Sequence, residues 1–156
     1  MIGMFEFATS GRIIFGMGRR AELPALLREY GAQRVLCVTG RSAERAQPIL
    51  DLIASAGAQV ERFIVTGEPD LARINAGREV TRAFAPDAIV AVGGGSVIDT
   101  GKALAALEAN DGDVLEYLEV IGAGRPLPNP VRVPVIALPT TSGTGSEVTR
   151  NAVIAS

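Results

Sequence analysis

Short β-branched runs alternate with longer amphipathic stretches through most of the chain. The runs at 34–39, 59–65 and 88–92 predict three strands, the first of them buried. The segments that follow them predict helices at 43–56, after Asp70, and at 96–109. This order of strand and helix is typical of an α/β fold, a doubly wound, Rossmann-like and mostly parallel sheet.

The predicted helices carry apolar residues at the spacing that lines one helical face. Gly57 is expected to end the first helix, and Pro86 closes the second. The residues expected to face the core are Ala46, Leu50 and Ile53 in the first helix, Leu71, Ile74 and Val80 in the second, and Val97, Thr100, Leu104 and Leu107 in the third.

The flanking segments are less regular. Residues 5–15 resemble two short strands, and a helix is predicted at 19–30, stopped at Gly31. The segment 121–134 is rich in proline and glycine and is expected to be a loop. A further strand is predicted at 135–138, ending at Pro139, and another at 148–155. We expect residues 1–156 to form one domain.

Composition narrows the possible functions. The chain has 156 residues, 47% of them apolar, a net charge of −2 and no basic run, so neither nucleic acid nor a membrane is an expected partner. The single cysteine, Cys37, lies in an apolar run and is expected to pack in the core, in a reducing, cytoplasmic setting. The absence of histidine excludes a Ser-His-Asp triad and a histidine-bound metal within this chain.

A glycine-rich turn is the strongest chemical signal. Gly93-Gly94-Gly95-Ser96 lies between a predicted strand and a predicted helix, where backbone N–H groups and the helix dipole favour a phosphate or pyrophosphate. The alternative is a tight turn with a capping box between Ser96 and Asp99. Asp99 is thus a cap or a ligand contact, and Lys102 a ligand contact or a solvated lysine.

The spacing around this turn does not match the known nucleotide fingerprints. Ser96 stands where a Walker motif requires glycine, and Ile98 stands where a Rossmann fingerprint requires glycine or alanine. Gly16-Met17-Gly18 fits the Rossmann spacing better, but no acidic residue ends the following strand.

A second loop combines hydroxyl groups and glycines. Residues 139–149, Pro-Thr-Thr-Ser-Gly-Thr-Gly-Ser-Glu-Val-Thr, follow a predicted strand. Hydroxyls in that position can bond phosphate, ribose or a carboxamide. The alternative is a polar surface loop.

Together these motifs resemble the iron-containing (group III) alcohol dehydrogenases. The resemblance rests on the opening at 12–18, the strand at 34–39, the glycine turn with Asp99 and Lys102, and the second loop. Glycerol dehydrogenases and dehydroquinate synthases share the fold but diverge after Pro-Thr-Thr. Maleylacetate reductases are closer and remain an alternative.

The resemblance implies a cofactor and a reaction. In that family an N-terminal α/β domain binds NAD or NADP, and a helical C-terminal domain supplies aspartate and histidine ligands to a divalent metal, iron or zinc. The full protein would transfer hydride between NAD(P) and a small alcohol or carbonyl compound, with homo-oligomers possible. The metal-binding domain would lie beyond Ser156, so this chain would be a fragment, inactive alone and without metal ligands.

The family's cofactor contacts transfer onto matching positions. Gly94, Gly95 and Ser96 would hold the pyrophosphate. The second loop would line the adenine and nicotinamide-ribose side with Thr140, Thr141 and Thr144. Asn151 would lie near the nicotinamide. Many NAD-using relatives end the first strand with an aspartate that bonds the ribose 2′-hydroxyl. Gly40 stands there, followed by Arg41, which favours NADP slightly unless Arg41 is simply exposed.

Two other functions fit parts of the pattern. Lipid and NAD kinases carry a glycine-rich loop after a strand, but their Gly-Gly-Asp-Gly-Thr aspartate is missing here. A non-catalytic dinucleotide-binding module, used for regulation or assembly, is the second alternative.

Overall fold

The structure, a computed structural model, describes residues 9 to 155. Its strands are β1 (Arg34–Thr39), β2 (Gln59–Ile64), β3 (Ala88–Gly93) and β4 (Val135–Pro139). Its helices are α1 (Leu23–Glu29), α2 (Ala43–Ser55), α3 (Leu71–Phe84) and α4 (Gly95–Glu108), with 3-10 turns at Arg19–Glu22 and Val114–Glu116.

The four strands form one parallel sheet in the order β2-β1-β3-β4. β1 and β3 are buried along almost their whole length, as expected for central strands covered by helices on both faces. The predicted doubly wound, Rossmann-like α/β fold is therefore confirmed.

Helices cover both faces of the sheet. On one face α1 and α2 pack against alternate strand residues such as Val35, Cys37 and Val90. On the other face α3 and α4 pack against Leu36, Val38 and Ile89. Successive strand residues point to opposite faces, so the continuous apolar runs of the sequence supply both cores.

In two helices some of the residues predicted to face the core are only half-buried, although they pack against it. In α2 the buried residues are Ala46, Ile49 and Ile53, whereas Leu50 is only half-buried. In α3 Ile74 is buried as expected, but Leu71 and Val80 are half-buried and the close contact with α4 is made through Gly77. A Cβ at Gly77 would lie 2.9 Å from Leu104, so the absent side chain lets the two helices approach.

The flanks correct other predictions. Residues 9–15 contain no strand, and residues 5–8 of that prediction lie outside the described range. The helix predicted at 19–30 is a 3-10 turn followed by α1, and it ends before Gly31, which has φ +66°. Without a preceding strand, the Gly16-Met17-Gly18 segment lacks the context of a dinucleotide fingerprint.

The strand predicted at 148–155 is also wrong. Only Ala155 pairs, through an isolated bridge to Asp70, and the N–H groups of Val148 and Thr149 bond back to the carbonyl of Gly145. That turn takes up the donors that a sheet ladder would need. The loop predicted at 121–134 is confirmed.

Cys37 is fully buried in β1, as predicted. Desolvation raises the pKa of its thiol to about 12, against a smaller opposing effect of the nearby Arg62 charge. Such a thiol stays protonated at neutral pH and is not a nucleophile. Across residues 9–155, no helix has the length and apolar character needed to cross a membrane.

Candidate functional site at the carboxyl edge of the sheet

The carboxyl ends of the strands align along one edge of the sheet. Thr39, near the end of β1, pairs with Val92 of β3, and Gly93 pairs with Pro139 of β4. The chain runs from β1 outward to β2 and then crosses to β3 on the opposite side of β1. The crevice between β1 and β3 is therefore the topological switch point, where open parallel sheets bind ligands.

The glycine turn places the start of α4 at this crevice. Gly94 is the N-cap in extended conformation, and no side chain caps the helix. The N–H groups of Val97 and Ile98 bond to the carbonyl of Gly94, which leaves those of Gly95 and Ser96 without partners inside the helix. The predicted capping box of Ser96 and Asp99 is wrong, because α4 begins one residue earlier than expected.

The three glycines are favoured because there is little room for a side chain, and not because the backbone is left-handed. A Cβ at Gly93 would lie 2.5 Å from Val97 of the same turn. A Cβ at Gly94 would lie 3.2 Å from the hydroxyl of Thr141, and one at Gly95 would lie 3.1 Å from that of Ser146. None of the three has a positive φ. The glycine turn and the second loop therefore pack directly against each other.

The second loop brings its hydroxyls to the same edge. Thr140 donates its N–H to the carbonyl of Gly93 at 2.9 Å, which extends the β3–β4 pairing into the loop. Gly143 and Gly145 have φ of +90° and +71°, so the loop turns sharply around Thr144. The side chains of Thr140, Thr141 and Thr144 are exposed, and Thr144 accepts a long hydrogen bond from the N–H of Ser146.

Lys102 ties the second loop to α4. Its ammonium donates to the carbonyl of Ser146 at 2.9 Å, to the carbonyl and hydroxyl of Thr149 at 3.2 and 3.3 Å, and to the carbonyl of Asn151. The same ammonium lies 3.0 Å from a carboxylate oxygen of buried Asp99. Lys102 is thus not a solvated lysine, because its ammonium is held among loop carbonyls and against the carboxylate of Asp99.

The residues expected near the adenosine ribose lie at the end of β1. Gly40 faces open space, with no atom within 4 Å of a Cβ built there. Arg41 is exposed. The Asn151 side chain is exposed as well, whereas its backbone carbonyl lies under Lys102. The structure brings together the glycine turn, the second loop and Lys102, with Gly40 on the neighbouring strand.

A cavity of about 770 Å³ opens beside this edge on the face of α1 and α2. Leu138 and Thr140 at the end of β4 form part of its wall, as do Phe15 and Arg19. No group of three or more potential metal-binding side chains occurs within residues 9–155. These residues therefore do not fit a divalent metal, whereas the uncapped start of α4 and the open edge at Gly40 fit a dinucleotide.

Comparison with known proteins identifies the family. The model of the iron-containing alcohol dehydrogenases matches residues 10–156. This chain belongs to the iron-containing alcohol dehydrogenase family. Among its relatives is the NAD-dependent methanol dehydrogenase of Bacillus methanolicus, 36% identical over 97% of this chain and 39% of that protein.

Two further relatives extend the comparison. The mitochondrial hydroxyacid-oxoacid transhydrogenase of Bos taurus is 37% identical over 93% of this chain and 32% of its own length. The structure of sulfoacetaldehyde reductase from Bifidobacterium kashiwanohense in complex with NAD+ superposes with a TM-score of 0.81 at 33% identity. The superposed region covers 94% of this chain and 39% of the sulfoacetaldehyde reductase chain. The chain thus spans 32% to 39% of the length of these relatives.

Family membership confirms the resemblance and does not favour a kinase. Sequence reasoning did not identify Thr39, Arg62 and Ser146 as candidate site residues. Ser146 is 8% exposed and packs against Gly95, but one serine among several hydroxyls gives no distinguishing signal. Arg62 does give one, because it interrupts an apolar row of β2 between Val60 and Ile64.

Proposed function

We propose that this chain binds NAD or NADP across the carboxyl edge of its sheet, as the dinucleotide-binding part of an NAD(P)-dependent alcohol dehydrogenase or aldehyde reductase. One observation carries the proposal. The uncapped start of α4, preceded by glycines, opens at the switch point of a parallel sheet. The relative from Bifidobacterium kashiwanohense, whose structure contains NAD+, supports the same cofactor class.

Each part of the edge has a role in this proposal. The N–H groups of Gly95 and Ser96 donate to pyrophosphate oxygens, and the helix dipole stabilises their charge. Asp99 and Lys102 position the second loop, so they contribute to binding without direct contact. The exposed hydroxyls of that loop bond the riboses or the carboxamide, and Gly40 with Arg41 faces the adenosine ribose.

We propose that the whole protein transfers hydride between the cofactor and a small alcohol or carbonyl compound. When bound, the nicotinamide ring supplies the hydride acceptor or donor. The residues described here bind and orient that ring but provide no acid, base or metal ligand for the substrate. We therefore assign the divalent metal to another part of the protein. We propose that the 156 residues form one cytoplasmic domain, and we expect this chain alone to oxidise no alcohol.

The test replaces glycines of the turn. Gly95→Val places a branched side chain between α4 and Ser146, where a phosphate would approach, and should lower NADH affinity at least tenfold, about 1.4 kcal/mol. Gly94→Ala is milder, because its Cβ would meet only the exposed side chain of Thr141. Gly11→Val is the control, since nothing lies within 4 Å of that Cβ.

Fluorescence titration with NADH and NADPH measures affinity, and circular dichroism checks that each variant is folded. Folded Gly94→Ala and Gly95→Val variants with the affinity of the Gly11→Val control would place the dinucleotide elsewhere.

A further inference from the structure

Arg62 occupies an unusual position for a charged side chain. Its strand, β2, lies at the sheet edge, and Arg62 pairs with Cys37 of β1, so both point toward the face covered by α2. The Arg62 side chain is half-buried. The residues before and after it on the same side of β2 are the apolar Val60 and Ile64. It runs toward the carboxyl end of β1, which is the end that carries the candidate site.

Two hydrogen bonds fix the guanidinium there. Its Nε donates to the hydroxyl oxygen of Thr39 at 2.9 Å, and its Nη2 donates to the carbonyl of Gly40 at 3.1 Å. A guanidinium has five N–H groups, so most of its donors remain beyond these two bonds. Among residues 9–155 no carboxylate lies within ion-pair distance of Arg62. An oriented positive charge thus stands beside Gly40 without an anionic partner.

The surroundings of Gly40 favour an anion. Gly40 leaves open space in front of the strand end, and the exposed Arg41 follows it. Helix α2 begins two residues later, with the hydroxyl of Ser42 capping it through the N–H of Arg45. The positive end of that helix dipole therefore lies close to Gly40 along the chain. Glu44, in the first turn of α2, is acidic and exposed.

We propose that Arg62 recognises a phosphate on the 2′ position of the adenosine ribose, so that it, and not Arg41 alone, sets a preference for NADP over NAD. This inference rests on the proposed dinucleotide site. A planar guanidinium pairs with a phosphate through two parallel N–H bonds. Because Thr39 and Gly40 already orient Arg62, less side-chain freedom is lost on binding than for the unconstrained Arg41.

The experiment uses mononucleotide probes, which do not depend on nicotinamide chemistry or on metal. 2′,5′-ADP carries the additional phosphate and 5′-AMP lacks it. Calorimetry measures both affinities for the unaltered chain and for Arg62→Met, which keeps the aliphatic stem but removes the charge. Arg41→Met tests the exposed arginine, and Arg28→Met, an exposed arginine of α1, is the matched control. Urea unfolding of each variant reports any effect on stability.

We expect the unaltered chain to bind 2′,5′-ADP about tenfold more tightly than 5′-AMP, and Arg62→Met to lose most of that ratio through weaker 2′,5′-ADP binding alone. Thr39→Val, which removes the acceptor for Nε, should lose part of it. Retention of the ratio in Arg62→Met, its loss in Arg41→Met only, or equal weakening of both probes overturns the assignment of Arg62. Absence of binding of either probe to the unaltered chain overturns the dinucleotide site and this inference together.

Discussion

Replacement of Lys102 by methionine tests how the second loop is held in place. The Lys102 side chain is 14% exposed, and its ammonium has the carbonyls of Ser146, Thr149 and Asn151 as acceptors beside the carboxylate of Asp99. Methionine keeps the apolar stem, so the substitution isolates the polar contacts. An ammonium has three N–H groups, so these acceptors share at most three strong bonds at a time.

The magnitude follows from those contacts. A hydrogen bond from a charged group contributes about 1.5–3 kcal/mol net, but the bonds are not additive, and removing the ammonium also removes its desolvation cost. Asp99, only 5% exposed, is then left as a buried carboxylate without its cation. Breaking such a pair costs about 3–5 kcal/mol. We expect Lys102→Met to lower the free energy of unfolding by about 3 kcal/mol.

Urea unfolding gives that free energy, and amide hydrogen exchange localises the change. Exchange should accelerate in residues 146–151 and not in β1. The double variant Asp99→Asn with Lys102→Met should recover at least 1 kcal/mol, because no buried charge remains unpaired. Arg28→Met, which removes an exposed charge, is the control. A Lys102→Met variant within about 0.5 kcal/mol of the unaltered chain, with unchanged exchange, would refute the assignment of Lys102 as the anchor of this loop.

Two more substitutions test the end of β1 and the core beneath it. Gly40→Asp fits without a clash, because no atom lies within 4 Å of a Cβ at Gly40. Paired titrations should show NADPH binding weakened relative to NADH binding by on the order of 1–2 kcal/mol. An unchanged ratio of the two affinities would mean that position 40 does not face the ribose. Cys37 has its pKa raised to about 12, so its contribution to stability is complete below pH 9 and is lost as pH rises from 9 toward 12. The free energy of unfolding should therefore fall by up to about 1.4 kcal/mol per pH unit in that range, and the same urea titrations on Cys37→Ala should lack this component; equal slopes for the two would contradict it.

Periodicity was sufficient to predict the strands, because β1 and β3 contain continuous apolar runs at 35–38 and 88–92, and the neighbouring helices begin and end at recognisable residues. Asp70 caps α3 and Gly57 follows α2, as the sequence indicates. The start of α4 was misplaced by one residue, since Ser96 is a good cap by type whereas the glycine before Gly95 supplies the turn. Local helix propensity cannot predict this start, because the space beside Gly95 is filled by a loop about fifty residues further along the chain.

The roles of Lys102 and Arg62 depend on contacts that sequence spacing does not reveal. Lys102 lies near a predicted phosphate turn, so its charge suggests a ligand contact, but its partners are the carbonyls of residues 146–151. Those carbonyls also explain why 148–155 is not a strand, despite its apolar composition. The sequence marks Arg62 as a charge within an apolar row of β2, but its position beside Cys37 and within reach of Gly40 follows only from the parallel register.

The two loops of the site depend on each other. The second loop has no sheet ladder of its own, and it is held by the Thr140 N–H on Gly93, by packing on Gly94 and Gly95, and by Lys102. A branched side chain at Gly95 would press on Ser146 and Thr144 of that loop, and one at Gly94 would press on Thr141. In the proposed site the glycines would serve two purposes, access for a phosphate and closure of the hydroxyl loop onto α4. A change at either loop should alter binding and local stability together, because the two loops form one edge of the sheet.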